Sequence, residues 1–180
     1  MIYSYKEIEE IYKTDYQIKK AMTNGEIFKI EKGIYSDEEF VNPLNIIIKK
    51  YPSAIFTMDS AFYFHGLTDV IPRKASLAIK RNTIRIYNDK IIQFFVPDKL
   101  FEMGKIELTF EDATIPVYDK ERMLIELIRN KKRMAFDYYK EIINSYRKKL
   151  NDLDVRKIED YIKEFDKEDY IFRTIQEEVF

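Results

Sequence analysis

Apolar and polar positions change period several times along the chain, and each change marks an element. Tyr5, Ile8, Ile11 and Tyr12 recur at helical spacing behind Ser4 and Glu7. That S-x-x-E pair is a capping box, in which each side chain satisfies a free backbone N–H at a helix start. Thr14 and Gln17 repeat the signal and open a second helix, with Ile18, Ala21 and Met22 as its buried stripe and Gly25 at its end. Two short helices joined by about two residues match a helix-turn-helix. Residues 27–35 then alternate apolar and polar on both sides of Lys32-Gly33, which predicts a β-hairpin. Helix, turn, helix and hairpin form the layout of a winged helix.

The polar run 36–42 reads as a linker. Behind it, Leu44, Ile46, Ile47, Ile48 and Tyr51 predict a helix stopping before Pro52, residues 54–56 a short strand, and Thr57 the cap of a helix carrying Ala61, Phe62, Phe64 and Leu67. Strand-like pieces follow at 75–80, 83–87, 91–96, 106–110 and 114–118, with Glu111-Asp112 as a turn between the last two. From residue 120 onward three or four amphipathic helices reach the end of the chain. The predicted fold class is therefore α+β: a winged helix-turn-helix over residues 1–40, then a mixed α/β domain over 41–180. In that second domain the sheet falls at about 54–118 and a helical bundle at about 119–180.

Composition narrows the chemistry. The chain has 180 residues, 46% hydrophobic and 35% charged, which suits a packed globular protein. No charge-free run exceeds nine residues, the length of 60–68, so no membrane span is expected, and the first residues do not read as a signal peptide. Without cysteine there is no thiolate chemistry, and one histidine excludes a two-histidine centre within one chain. All four glycines fall where elements end or turn, leaving none for a phosphate-cradling loop. Neither a cofactor nor a metal is expected, and the cytoplasm is the default compartment.

Charge is uneven although the net is only −1. Between Ile71 and Lys105 eight basic residues face three acidic ones, and from Asn151 to the end ten acidic residues face five basic ones. Within the first 36 residues six lysines balance six acids. Rotation of about 100° per residue puts Tyr16, Lys20 and Thr23 opposite the Ile18 stripe, flanked by Gln17, Lys19 and Asn24. Amides on such a face suit adenine edges and lysines suit phosphates, with Lys29 and Lys32 on the wing. The expected partner is double-stranded DNA. An alternative is a winged helix that docks a protein and never touches DNA.

Catalytic motifs are incomplete. A serine–histidine–aspartate centre would need His65 with Ser60 and Asp59 or Asp69, and His65 beside Gly66 reads better as a packing or capping residue. A metal-dependent nuclease, the other alternative, would start from Pro97-Asp98, but no glutamate is followed two positions later by lysine. No catalytic residue is assigned.

Three segments in collinear order resemble the AbiEi family of antitoxins. Tyr16-x-Ile18-x3-Met22-x2-Gly25-Glu26-Ile27-x2-Ile30-x2-Gly33-Ile34-Tyr35 resembles the family's winged helix. Ile55-Phe56-Thr57-Met58-Asp59-Ser60-Ala61-Phe62-Tyr63-Phe64-His65-Gly66-Leu67-Thr68-Asp69 looks like its "S-x-x-S-A-L-x-x-H-G-L", with Thr57 for the first serine. Asp119-Lys120-Glu121-Arg122-Met123-Leu124-Ile125-Glu126-Leu127-Ile128 is similar to its "D-(R/K)-E-R-T-(I/L)-x-D-L-(I/L)", with Met123 for threonine and Glu126 for aspartate. The likeness runs from about Ser4 to Arg129; here only Met1 to Tyr3 precede the first capping box, where family members usually carry a further helix. What the resemblance implies is an antitoxin of an abortive-infection toxin–antitoxin pair. Its winged helix would repress its own operon at inverted repeats, and its second domain would counteract a nucleotidyltransferase toxin without a stable complex. Carried over by position, DNA contact falls to Tyr16, Gln17, Lys19, Lys20, Thr23, Lys29 and Lys32. The antitoxin surface would hold Arg73, Lys74, Lys80, Arg81 and Arg85.

Overall fold

The structure, a computed structural model, describes Met1–Phe180. Helices and two sheets give an α+β chain that divides into two compact units: Met1–Ala54 with Thr109–Ile115, and Ile55–Leu108 with Pro116–Phe180.

The first unit begins with a strand the sequence pattern does not announce, β1 (Ile2–Ser4). Two helices follow, α1 (Tyr5–Tyr12) and α2 (Asp15–Thr23), then a hairpin, β2 (Phe28–Glu31) and β3 (Ile34–Ser36). The capping box closes as expected: Glu7 N–H donates to Ser4 Oγ at 3.4 Å, and Ser4 N–H to Glu7 Oε2 at 2.7 Å. Lys13, left-handed at φ 63°, ends α1, and Thr14 caps α2 by accepting the Gln17 N–H at 3.3 Å. Gly33 turns the hairpin at φ 80°. All pairing in this sheet is antiparallel in the order β1-β3-β2, with Tyr3 opposite Tyr35 and Lys29 opposite Tyr35 on its other side. Ile8, Ile18, Ala21, Ile27 and Tyr35 form the unit's core, with Tyr3, Tyr12 and Met22 packed on it.

The unit does not stop at the expected boundary near residue 40. Helix α3 (Pro43–Lys50), capped by Asn42, packs on β1 and belongs with it. Two ion pairs hold it: Lys49 to Glu7 at 2.7 Å and Lys50 to Glu31 at 3.0 Å. The polar run 36–42 is thus a connection inside the unit rather than a linker between domains.

In the rest of the chain, β4 (Ile55–Phe56), β5 (Ala75–Lys80), β6 (Ile91–Val96), β7 (Lys105–Phe110) and β8 (Ala113–Tyr118) make a mixed sheet ordered β6-β5-β4-β8-β7. β4 runs antiparallel to β5 and parallel to β8, while β5 and β6 are parallel. Residues 83–87, expected as a strand, are irregular. Parallel pairing of β5 with β6 forces residues 81–90 to travel back along the sheet, so that segment is a crossover. Its fixed point is Ile86, whose N–H and C=O both bond the Gln93 side-chain amide.

Helix α4 (Met58–Phe64) starts at Thr57, but the Thr57 hydroxyl makes no cap bond and points instead to Met123 Sδ at 3.6 Å. A short helix, α5 (Asp98–Phe101), follows β6. The C-terminal helices are α6 (Lys120–Asn130), α7 (Phe136–Lys148), α8 (Val155–Ile162) and α9 (Glu168–Glu178). α6 is their centre: Met123, Leu124, Ile125, Leu127 and Ile128 are all buried, and α4, α8 and α9 pack on it.

Candidate nucleic-acid interface

Because Ile18 and Ala21 turn into the first unit's core, the opposite side of α2 faces solvent. Tyr16 is 75% exposed, and Gln17, Lys19, Lys20 and Thr23 are exposed beside it. Lys29 and Lys32 are exposed on the hairpin. None of these four lysines takes part in an ion pair, in contrast to Lys49 and Lys50. The polar residues of the face are partly engaged. Gln17 Oε1 accepts the Thr14 hydroxyl at 3.3 Å, and the Thr23 hydroxyl donates to the Lys19 carbonyl at 2.9 Å. Asn24 Nδ2 bonds Glu26 at 2.9 Å. Four unpaired ammonium groups are therefore the free chemistry here, with Tyr16 as an exposed ring among them. On one flank Tyr5 donates its hydroxyl to Asp15 at 2.9 Å, and that bond to a carboxylate raises the phenol's pKa.

The second set of expected residues, Arg73, Lys74, Lys80, Arg81 and Arg85, is also exposed. They lie before β5, at its C-terminal end and on the crossover, with Lys80 Nζ over the Phe101 ring at 5.4 Å. Lys90, at the end of the same crossover, belongs with them: its carbonyl accepts the Ala75 N–H at 2.9 Å, next to Lys74. The exposed Ile84 and Tyr87 lie between these cations, at 91% and 90% exposure. Sequence alternation pointed to a strand there and so hid their exposure.

Of the residues considered for catalysis, Ser60 and His65 are occupied by packing, whereas Asp69 is exposed. Ser60 Oγ accepts the Ser76 N–H at 2.9 Å, and His65 Nε2 lies 2.7 Å from the Tyr118 carbonyl oxygen. Burial lowers the His65 pKa, so the neutral ring is favoured. Asp98 is exposed at the start of α5. No group of three or more histidine, aspartate or glutamate side chains is placed to hold a metal ion.

The Asp119–Glu126 segment builds a buried charged cluster instead. Asp119 caps α6 by accepting the Arg122 N–H at 2.7 Å, and it also takes Lys157 at 2.8 Å and the Tyr161 hydroxyl at 3.0 Å. The Arg122 side chain is fully buried. It donates to Glu126 at 2.8 and 3.2 Å and to the Leu100 carbonyl at 3.2 Å, between the rings of Tyr118 and Phe165. Arg129 completes the cluster on Glu126. Spacing of four residues marks the Arg122–Glu126 pair in the sequence, yet such pairs usually lie on a solvated face, so its burial was missed.

Compared with protein-family models and with curated proteins, the chain matches none.

Proposed function

We propose that the first unit is a winged helix that reads duplex DNA and that the whole chain is a non-catalytic antitoxin and autorepressor of a toxin–antitoxin operon. The observation that carries the DNA-reading part is the β1-α1-α2-β2-β3 order with sheet order β1-β3-β2 and four unpaired lysines on α2 and the hairpin. In this arrangement α2 enters the major groove, Tyr16, Gln17 and Thr23 meet base edges, and Lys19 and Lys20 meet phosphates. Lys29 and Lys32 on the hairpin hold the adjacent backbone. The antitoxin part rests on the resemblance of three collinear segments to the AbiEi family, which names a nucleotidyltransferase toxin as functional partner; the cytoplasm is the default compartment. No helix is long and apolar enough to cross a membrane.

The test is fluorescence anisotropy with duplex DNA from upstream of the protein's own gene, repeated over a range of salt. Each of Lys19→Ala, Lys20→Ala, Lys29→Ala and Lys32→Ala should weaken binding and lower the slope of log K against log salt by about 1. Absence of binding at micromolar protein and low salt overturns the reading. A stable protein complex that ignores the lysine changes would make the unit a docking module, and Mg²⁺-dependent cleavage of the DNA would make the chain a nuclease.

A further inference from the structure

Strand β6 is the last strand on its side of the sheet. Its sequence, Ile-Ile-Gln-Phe-Phe-Val, has no charge and no proline, and its register with β5 runs unbroken from Ala75–Ile91 to Lys80–Val96. Native edges normally carry a charge, a proline or a bulge that blocks further pairing. This edge has none. Ala75 N–H donates to the Lys90 carbonyl and Arg81 N–H to the Val96 carbonyl. The alternation of a parallel ladder then turns the N–H and C=O of Gln93 and Phe95 to the open side. The crossover makes no backbone hydrogen bond to them. It is tied to the Gln93 side chain, which stands on a face of the sheet rather than beyond its edge.

The surroundings select the occupant. From Arg73 to Val96 there are six cations, Arg73, Lys74, Lys80, Arg81, Arg85 and Lys90, and one carboxylate, Asp89. They stand at both ends of β6 and along the crossover. Between them Ile92 and Phe95 are 40% and 44% exposed, beside the still more exposed Ile84 and Tyr87. A second copy is a poor occupant, because antiparallel β6–β6 pairing would set Lys74 and Lys90 of one chain against Lys80 and Arg81 of the other. Nucleic acid could use the cations and the Tyr87 and Phe95 rings, but it would leave the open N–H and C=O groups of Gln93 and Phe95 without the matching backbone ladder that an added strand supplies.

We propose that the β6 edge is a strand-addition site for an extended acidic segment of a partner protein. Backbone bonds to Gln93 and Phe95 hold the added strand, its apolar residues cover Ile92 or Phe95, which lie on opposite faces of the sheet, and its carboxylates meet the flanking cations. This inference is independent of DNA reading and stands or falls without it.

The experiment uses the full chain and a fluorescent peptide of alternating glutamate and valine, with an alternating lysine–valine peptide and a single-stranded oligonucleotide as controls. The acidic peptide should bind and slow hydrogen exchange at the Gln93 and Phe95 amides. Phe95→Pro removes one open N–H without touching the β5 ladder, and it should weaken binding about tenfold. The exposed set Arg73→Glu, Arg81→Glu, Arg85→Glu and Lys90→Glu should abolish binding with the melting temperature little changed. Failure of the acidic peptide to bind at millimolar concentration overturns the proposal. So does equal binding of the basic peptide, tighter binding of the oligonucleotide, or a concentration-dependent dimer that Phe95→Pro dissolves.

Discussion

Replacing Arg122 by methionine tests the buried cluster at the centre of the second unit. The change keeps most of the side-chain volume between Tyr118 and Phe165 but removes every donor. Leu100 then has a carbonyl without its guanidinium partner, and Glu126 loses its two contacts at 2.8 and 3.2 Å. Removing one member of a buried ion pair costs about 3–5 kcal/mol, because the other charge remains desolvated. Here Glu126 keeps Arg129 at 2.8 and 3.0 Å, and Arg129 is partly exposed, so part of its charge stays compensated. The loss therefore belongs at the lower end, about 3 kcal/mol. For a chain of this length that is a fall in melting temperature of about 6–12 °C, at about 2–4 °C per kcal/mol. Glu126→Leu alone should cost at least as much, since it strands a fully buried guanidinium. The pair Arg122→Met with Glu126→Leu should recover most of the loss, because an apolar pair replaces the buried ion pair and the one charge left over, on Arg129, is partly exposed to water. Thermal unfolding followed by circular dichroism on the four proteins closes the double-mutant cycle. Losses that simply add, or an Arg122→Met protein within about 1 kcal/mol of the parent, would refute the assignment of this pair as coupled and desolvated.

Two further predictions concern backbone and titration. Gly104 sits at φ 77° with an added Cβ placed 2.7 Å from Arg122 Cβ, whereas Gly33 at φ 80° has open space around it. Gly33→Ala should cost about 1–2 kcal/mol from its left-handed conformation alone, and Gly104→Ala distinctly more; equal denaturant midpoints would refute the close approach. Glu7 is held down to about 2 from an ordinary 4.5, first by the Lys49 ammonium and then by the N–H and hydroxyl of Ser4. Its folded-state pKa is depressed, so its stabilisation is present above about pH 4.5 and is lost as pH falls toward 2. A carboxyl carbon NMR titration should show the low midpoint, and Lys49→Met should move it up; an unmoved midpoint would refute Lys49 as the main cause.

How much of this was legible depends on how local each signal is. The capping pairs Ser4/Glu7 and Thr14/Gln17 lie within one helical turn, so residue type and spacing were enough. The outer face of α2 followed from rotation about a three-residue apolar stripe. β1 escaped because three residues show no period; only its partner β3, reached from the other side of two helices, makes it a strand. Residues 83–87 failed in the opposite direction. Their alternation is that of a strand, but strand identity depends on a partner, and the parallel pairing of β5 with β6 uses those residues as the return path. The sequence boundary near residue 40 rested on the polar run and the nearby Pro43, both local signals, while the packing of α3 on β1 is a long-range contact. The charged cluster around Arg122 was present as letters in the Asp119–Glu126 motif. Its burial depends on Leu100, Tyr118 and Phe165, which arrive from elsewhere in the fold.

The two proposed surfaces differ in what holds their partners, and that difference makes them separable without knowing either partner. Binding through Lys19, Lys20, Lys29 and Lys32 draws its free energy from counterions released by phosphates, so it must fall steeply with salt, by a slope of about −0.9 for each phosphate met. Strand addition at β6 draws on backbone hydrogen bonds and on covering Ile92 or Phe95 on one face of the sheet, neither of which involves a mobile ion. Its cations steer an acidic segment and add a salt-sensitive part, but they stand at the strand's ends, where exposed pairs contribute at most about 1 kcal/mol each. Raising salt should therefore release DNA from the first unit well before it releases the acidic peptide from the second. If both left together, the β6 edge would be only a second cationic patch, and the unblocked backbone at Gln93 and Phe95 would have no part in recognition.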